Sequence, residues 1–163
     1  MKTIVILLTT FVASIFNSSE NTVEYYQDCK AELSVYKDRS FKSAAQDGAS
    51  FKLTLTNTSS KAATYTLSTT NLLEPCDNKG GRLSAGSNVT LNVSIETNSL
   101  RAMPNNEITL KSGESYSFTV KVTVPDGTKT NSWSCINVEA QSKGCLIKSI
   151  KTLSVFVPEP SEG

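Results

Sequence analysis

The chain has 163 residues, enough for one domain with a real core and short for two. Lys and Arg number 16 against 15 Asp and Glu, a formal charge of +1, which excludes the basic excess that binding to nucleic acid or to an anionic membrane requires. Histidine is absent, and with it go Ser-His-Asp and Cys-His catalysis, His-ligated zinc and the common neutral-pH proton shuttle.

The N-terminus reads as an address. Lys2 supplies one positive charge, and Ile4 to Phe16 is almost wholly apolar. That run has the length of a signal-peptide core and falls short of the roughly 20 residues a membrane-spanning helix needs. Asn17, Ser18 and Ser19 offer a peptidase site, although Ile15 and Phe16 crowd it, so the cut position stays open. An uncleaved anchor is the competing reading. The expected organisation is a signal peptide over 1–19, one β-sandwich domain over 20–157 and a flexible tail over 158–163. No later segment is apolar for long enough to cross a membrane, so the destination is secreted, periplasmic or cell-surface.

Tyr25 and Tyr26 come next, adjacent and ahead of the first strand. They either clamp the N-terminal segment or offer a surface contact. Cys29 follows, and with Cys76, Cys135 and Cys145 it makes an even count beyond the leader. In a chain bound for an oxidising compartment this predicts two disulfides. No CxxC knuckle is present, which argues against a four-thiolate metal site. Three pairings are possible, and the cysteines alone do not choose among them.

From there the dominant pattern is alternation with period two, the mark of a half-buried strand. Leu33 and Val35 make a weak first strand. Phe51, Leu53 and Leu55 alternate with Lys52, Thr54 and Thr56. Tyr65 and Leu67 follow, then Leu91, Val93 and Ile95. The longest run is Tyr116, Phe118, Val120, Val122 and Val124. Ile136, Val138 and Ala140 precede Leu153, Val155 and Val157. Thr and Ser fill most outward positions, where a branched Cβ suits the pleat. Turn signals separate the runs, among them Asp47-Gly48, Asn57-Thr58-Ser59-Ser60, Ser112-Gly113, Pro125-Asp126-Gly127 and Lys143-Gly144. The stretch 96–107 is the longest irregular connection, with room for a helical turn around Leu100 to Met103 before Pro104. About seven short strands and no helical period predict an all-β, two-sheet antiparallel sandwich.

Two segments carry a resemblance. One is Phe51-Lys-Leu-Thr-Leu-Thr-Asn57-Thr58-Ser59 followed by Ala63-Thr-Tyr65-Thr-Leu67. The other is Ile108-Thr-Leu110-Lys-Ser-Gly113-Glu114-Ser-Tyr116-Ser-Phe118, running to Val124-Pro125-Asp-Gly127-Thr128. Together, from Phe51 to Val157, they resemble the fibronectin-III-like and CARDB-like (Ig-like) sandwich modules of bacterial secreted proteins. The resemblance implies fold and export and transfers no active site. Within it, Gly113 suits the turn into the long strand and Pro125 ends pairing after Val124. The strand order it implies places the connection after residue 69 near the start of the strand at 133, and the first strand near the turn at 141–146. Cys76–Cys135 and Cys29–Cys145 are the pairs that follow. A Cys135–Cys145 bridge would have to span a straight strand.

Candidate sites are few. Trp133, the one tryptophan, either stacks on a sugar or packs over the sheet edge beside Cys135. Its parity sets both opposite the Ile136, Val138, Ala140 face. Asp77-Asn78-Lys79-Gly80 holds oxygen ligands but a single carboxylate, too few for calcium. Asp38, Asp47, Glu96, Glu107 and Glu114 lie scattered, with no spacing that would make a catalytic pair. Sequons begin at Asn17, Asn57, Asn88 and Asn92 and matter only in a eukaryotic host. No cofactor and no metal is expected. The reading is an exported, non-enzymatic sandwich with a structural or protein-binding role, its partner an unknown protein. A glycan-binding module is the alternative, or an inhibitor of a secreted enzyme that uses 96–107 as the contact.

Overall fold

Apolar residues at every second position share one side of the chain only when it is extended. The computed structural model describes residues 29–45, 47–76, 88–97 and 106–160. The strands among them are β1 (Ala31–Val35), β2 (Phe41–Ser43), β3 (Ala49–Asn57), β4 (Ala63–Leu72), β5 (Asn92–Glu96), β6 (Glu107–Leu110), β7 (Ser115–Thr123), β8 (Ser132–Ser142) and β9 (Lys148–Val157). They form two sheets, β1-β3-β7-β5 and β2-β9-β8-β4-β6. The architecture is therefore the all-β sandwich expected. The inward residues of β3 and β7 (Phe51, Leu53, Leu55, Phe118, Val120, Val122) share one buried cluster with Ile136, Val138 and Ala140 of β8 and Leu153, Val155 and Val157 of β9. Cutting one of the enclosed Leu, Ile or Phe side chains back to Ala costs about 2–5 kcal/mol.

The seven expected strands all form, and two more join them at the rims of the five-stranded sheet. β6 pairs antiparallel with β4, and β2 runs parallel to β9. The parallel pair arises where the chain crosses between sheets. β1 is an edge of one sheet and β2 an edge of the other, so the chain passes over the side of the sandwich and meets β9 running in the same direction. Flanking bonds hold it there, from Ser154 N to Ser40 O at 2.8 Å and from Ala44 N to Phe156 O at 2.8 Å.

Asn57 closes the C-terminal end of β3. It is fully buried, and its Nδ2 donates to the carbonyls of Lys61, Leu110 and Lys111 at 2.8, 3.0 and 3.2 Å. Its Oδ1 accepts from Ser59 N, Ser59 Oγ and the Tyr65 hydroxyl at 3.0, 2.6 and 2.7 Å. Gly113 reaches this corner with φ at 72°, a conformation open to glycine, and donates its N–H to Asn57 O at 2.8 Å. Gly48, at the other end of β3, is fixed by space, because a Cβ there would sit 2.1 Å from the Val122 carbonyl oxygen.

Each end of the sandwich also carries a disulfide. Cys29 bonds to Cys145 across a sequence separation of 116, and Cys76 bonds to Cys135 across 59. The first joins the lead-in to β1 to the β8–β9 turn and so ties one sheet to the other. The second ties the segment after β4 onto β8.

Candidate functional site

Trp133 lies on the outer face of the five-stranded sheet, where its parity puts it. β8 and β9 pair Trp133 with Phe156, and β2 sets Phe41 opposite Ser154, two residues along β9 on the same face. The three rings touch, with centroids 5.3 Å apart for Phe41–Trp133 and 5.2 Å for Trp133–Phe156, tilted by 40° and 51°. Such tilted contacts are the arrangement aromatic rings prefer when they pack on one another. The Cys76–Cys135 bridge lies beside them, with Cys76 Sγ 3.4 Å from Ser154 Oγ. Trp133 thus pins β2 to its sheet.

Tyr25, Tyr26, the Asp77-Asn78-Lys79-Gly80 turn, the 1–19 leader and most of 96–107 lie outside the described residues. Of the five scattered carboxylates, Asp38 and Glu96 pair with Lys151 and Lys121 at 3.4 and 3.9 Å, and Glu114 Oε2 accepts from Lys111 N at 2.8 Å. Among the described residues no group of three or more acidic, Cys or His side chains could hold a metal. Two sequons hold up the fold: besides Asn57, the buried Asn88 donates through Nδ2 to the carbonyls of Leu72 and Glu74.

The chemistry-bearing surface is elsewhere, at the N-terminal end of β3. β1 stops at Val35, opposite Leu53, while β3 runs on to Ala49. Over that unpaired length the chain makes one 3-10 turn, Tyr36–Asp38, in which Lys37 and Asp38 take φ of 55° and 51°. Left-handed backbone costs a residue with a Cβ about 1–2 kcal/mol. Between this turn and β3 lies a cavity of about 340 Å³ lined by Val35, Tyr36, Arg39, Lys42, Ser50, Phe51, Lys52 and Thr119. Three of these eight are cations and none is a carboxylate. Lys42 Nζ donates to the Ser50 carbonyl and sits 5.4 Å from the centre of the Phe51 ring. Lys37 and Lys52 hold their ammonium groups 5.3 and 5.8 Å from the centre of the Tyr36 ring, whose residue is 58% exposed. The β3–β7 ladder brings in Thr119 as the register partner of Lys52. No spacing in the chain pointed to this set. The signal that could have found it is the run Tyr36-Lys37-Asp38-Arg39, polar and without glycine, just where the first strand ends.

Comparison with solved structures finds several sandwich domains. A family 123 glycoside hydrolase from Clostridium perfringens aligns with 79% of this chain and 27% of its own at 13% identity, TM-score 0.49. The periplasmic chaperone SfaE aligns with 80% of this chain and 57% of its own at 11% identity, TM-score 0.43. A FixG-related protein from Vibrio parahaemolyticus aligns with 81% of this chain and 97% of its own at 13% identity, TM-score 0.45. The chain therefore spans about a quarter of the hydrolase and just over half of the chaperone. No curated protein sequence matches it. The family model described as an Fn3-like domain matches residues 39–144, a span from the end of the Tyr36–Asp38 turn to the β8–β9 turn, and the chain belongs to that Fn3-like family.

Proposed function

We propose that this chain is an exported, non-enzymatic module that works by binding another protein at the N-terminal end of β3. The observation that carries the reading is the cavity there: three cations and no carboxylate line it on a chain whose total charge is nearly balanced. Charge concentrated in a concave place, on a frame of paired strands, is the form a recognition site takes. Export is supported by the two disulfides, which persist in oxidising compartments, and by the apolar leader. No helix among the described residues is long and apolar enough to cross a membrane.

The test is site-directed photo-cross-linking in the exported fraction of the native host. A photoreactive residue at Tyr36 is expected to yield a discrete adduct that excess unlabelled protein competes away. One at exposed Thr109, on β6 of the other sheet, is expected to yield none. Equal adducts from both positions, or none from Tyr36, would refute the reading.

A further inference from the structure

We propose that the cavity beside the Tyr36–Asp38 turn recognises a carboxylate on an extended, acidic peptide segment of the partner, with Arg39 as the anchoring group. The inference rests on the binding role proposed above and names the chemistry of that same site.

Three features point to an anion. Arg39, Lys42 and Lys52 line one cavity, and like charges gathered there repel one another unless a counter-charge enters. The nearest acidic side chain in sequence does not supply it: Asp38 reaches across to Lys151 at 3.4 Å. Among the described residues, neither Arg39 nor Lys52 has a carboxylate within ion-pair distance. The two lysines are also held in place. Lys42 is bonded to the Ser50 carbonyl and Lys52 lies over the Tyr36 ring. The guanidinium of Arg39 keeps its planar fork of donors, which matches the two oxygens of a carboxylate.

Two further features favour a peptide. Even-numbered residues of β3 turn their backbone groups toward the β1 edge, as the bonds from Ser34 Oγ to Thr54 O, and from Thr58 N to Lys30 O just beyond the strand, show. β1 stops short, so the length of that edge beside the cavity meets a lysine at Ser50 rather than a strand. An extended segment entering there would run along a strand edge, the usual way a sheet takes up a peptide. The exposed Tyr36 ring and the hydroxyls of Ser50 and Thr119 would then flank the methylenes and oxygens of a Glu side chain. A sulfated glycan or nucleic acid would call for basic residues spread along a track, and the near-neutral chain offers no such excess.

The experiment titrates the oxidised full-length protein with an acetylated, amidated hexapeptide of alternating Glu and Val. Calorimetry and amide chemical-shift mapping are the readouts. Saturable binding is expected, weakening with added salt, with shifts centred on Arg39, Ser50, Lys52 and Thr119. Arg39→Gln is expected to weaken it at least tenfold, and Lys148→Gln on the other sheet to leave it unchanged. The Gln/Val peptide and sodium sulfate are expected to bind at least tenfold more weakly. Equal binding of the Gln/Val peptide, indifference to Arg39→Gln, or tight binding of a heparin-derived oligosaccharide in place of the peptide would each overturn the proposal. Peptide failure alongside a specific adduct at Tyr36 removes the carboxylate chemistry and leaves the binding role standing. Peptide binding without any adduct does the reverse.

Discussion

The two ends of β3 treat polar groups in opposite ways. At Asn57 every side-chain donor and acceptor is matched inside the protein, by six hydrogen bonds, four of them buried and two part-buried, and Gly113 takes a turn conformation that strains other residues. At Ser50 the neighbouring turn puts a lysine and an aspartate into left-handed backbone and gathers cations without a lining carboxylate. Backbone conformation agrees with residue type at the first end and conflicts with it at the second. The matching at the first end is particular to Asn57, since the buried hydroxyls of Tyr116 and Ser142, register partners of Leu55 and Tyr65, have no hydrogen-bond partner among the described residues; at the second end the groups without a counter-charge are cations that line a cavity, where a ligand can match them.

The largest expected effect breaks the satisfied end. Asn57→Ala removes all six of these bonds and takes from Ser59 N and the Leu110 and Lys111 carbonyls their Asn57 partner, while the Tyr65 hydroxyl still reaches Lys30 O and Lys61 O still accepts from Ser59 Oγ. At 1–3 kcal/mol for each stranded group, discounted for relaxation, the loss should be about 3–5 kcal/mol. Urea unfolding of the oxidised protein checks it, and a midpoint within error of the wild type would show that the corner tolerates water. The matching change at the other end, Ser50→Ala, removes no side-chain hydrogen bond among the described residues, since Lys42 binds the backbone carbonyl, and should stay within about 0.5 kcal/mol.

The disulfides sharpen the same contrast. Cys29 precedes β1, whose Ala31 pairs with Asn57, so the Cys29–Cys145 bridge belongs to the satisfied end. Replacing both partners with Ala should lower stability by about 2–4 kcal/mol while leaving the cavity's peptide affinity within twofold. A large loss of affinity at a temperature where the variant is folded would show that the two ends are coupled through β3.

How much of this could be read beforehand depended on how far apart the cooperating residues lie. β3 and β7 were plain because nine residues each give several repeats of the period. β2 and β6, with three and four residues, give too few, and a lone Phe41 does not declare a strand. Trp133 could be placed by parity alone, opposite Ile136. The cysteine partners follow from the strand order that the family resemblance implies, which is a property of the whole sheet. Asn57 read only as a turn residue and a sequon, because its partners come from 59–65 and from 110–111, and just the first group is local. The cavity was hidden for the same reason: Thr119 meets Lys52 through the β3–β7 register, and nothing in either neighbourhood advertises the other.

The smallest effect tests whether the backbone conflict at the second end belongs to the site or only to the turn. Lys37 takes φ of 55° yet does not line the cavity, so Lys37→Gly relieves backbone strain without touching the proposed contacts. Relief of about 1–2 kcal/mol is opposed by the greater freedom glycine gives the unfolded chain, about 0.4–1 kcal/mol, and by the lost cation on Tyr36. A net gain of about 0.5 kcal/mol is expected by urea unfolding. Peptide affinity should hold or fall slightly, since a looser turn positions Arg39 less firmly. If instead Lys37→Gly stabilises the protein and abolishes binding, then the left-handed turn is itself what shapes the cavity. The strain would then serve recognition directly, in contrast to Gly113, whose positive φ serves only the fold.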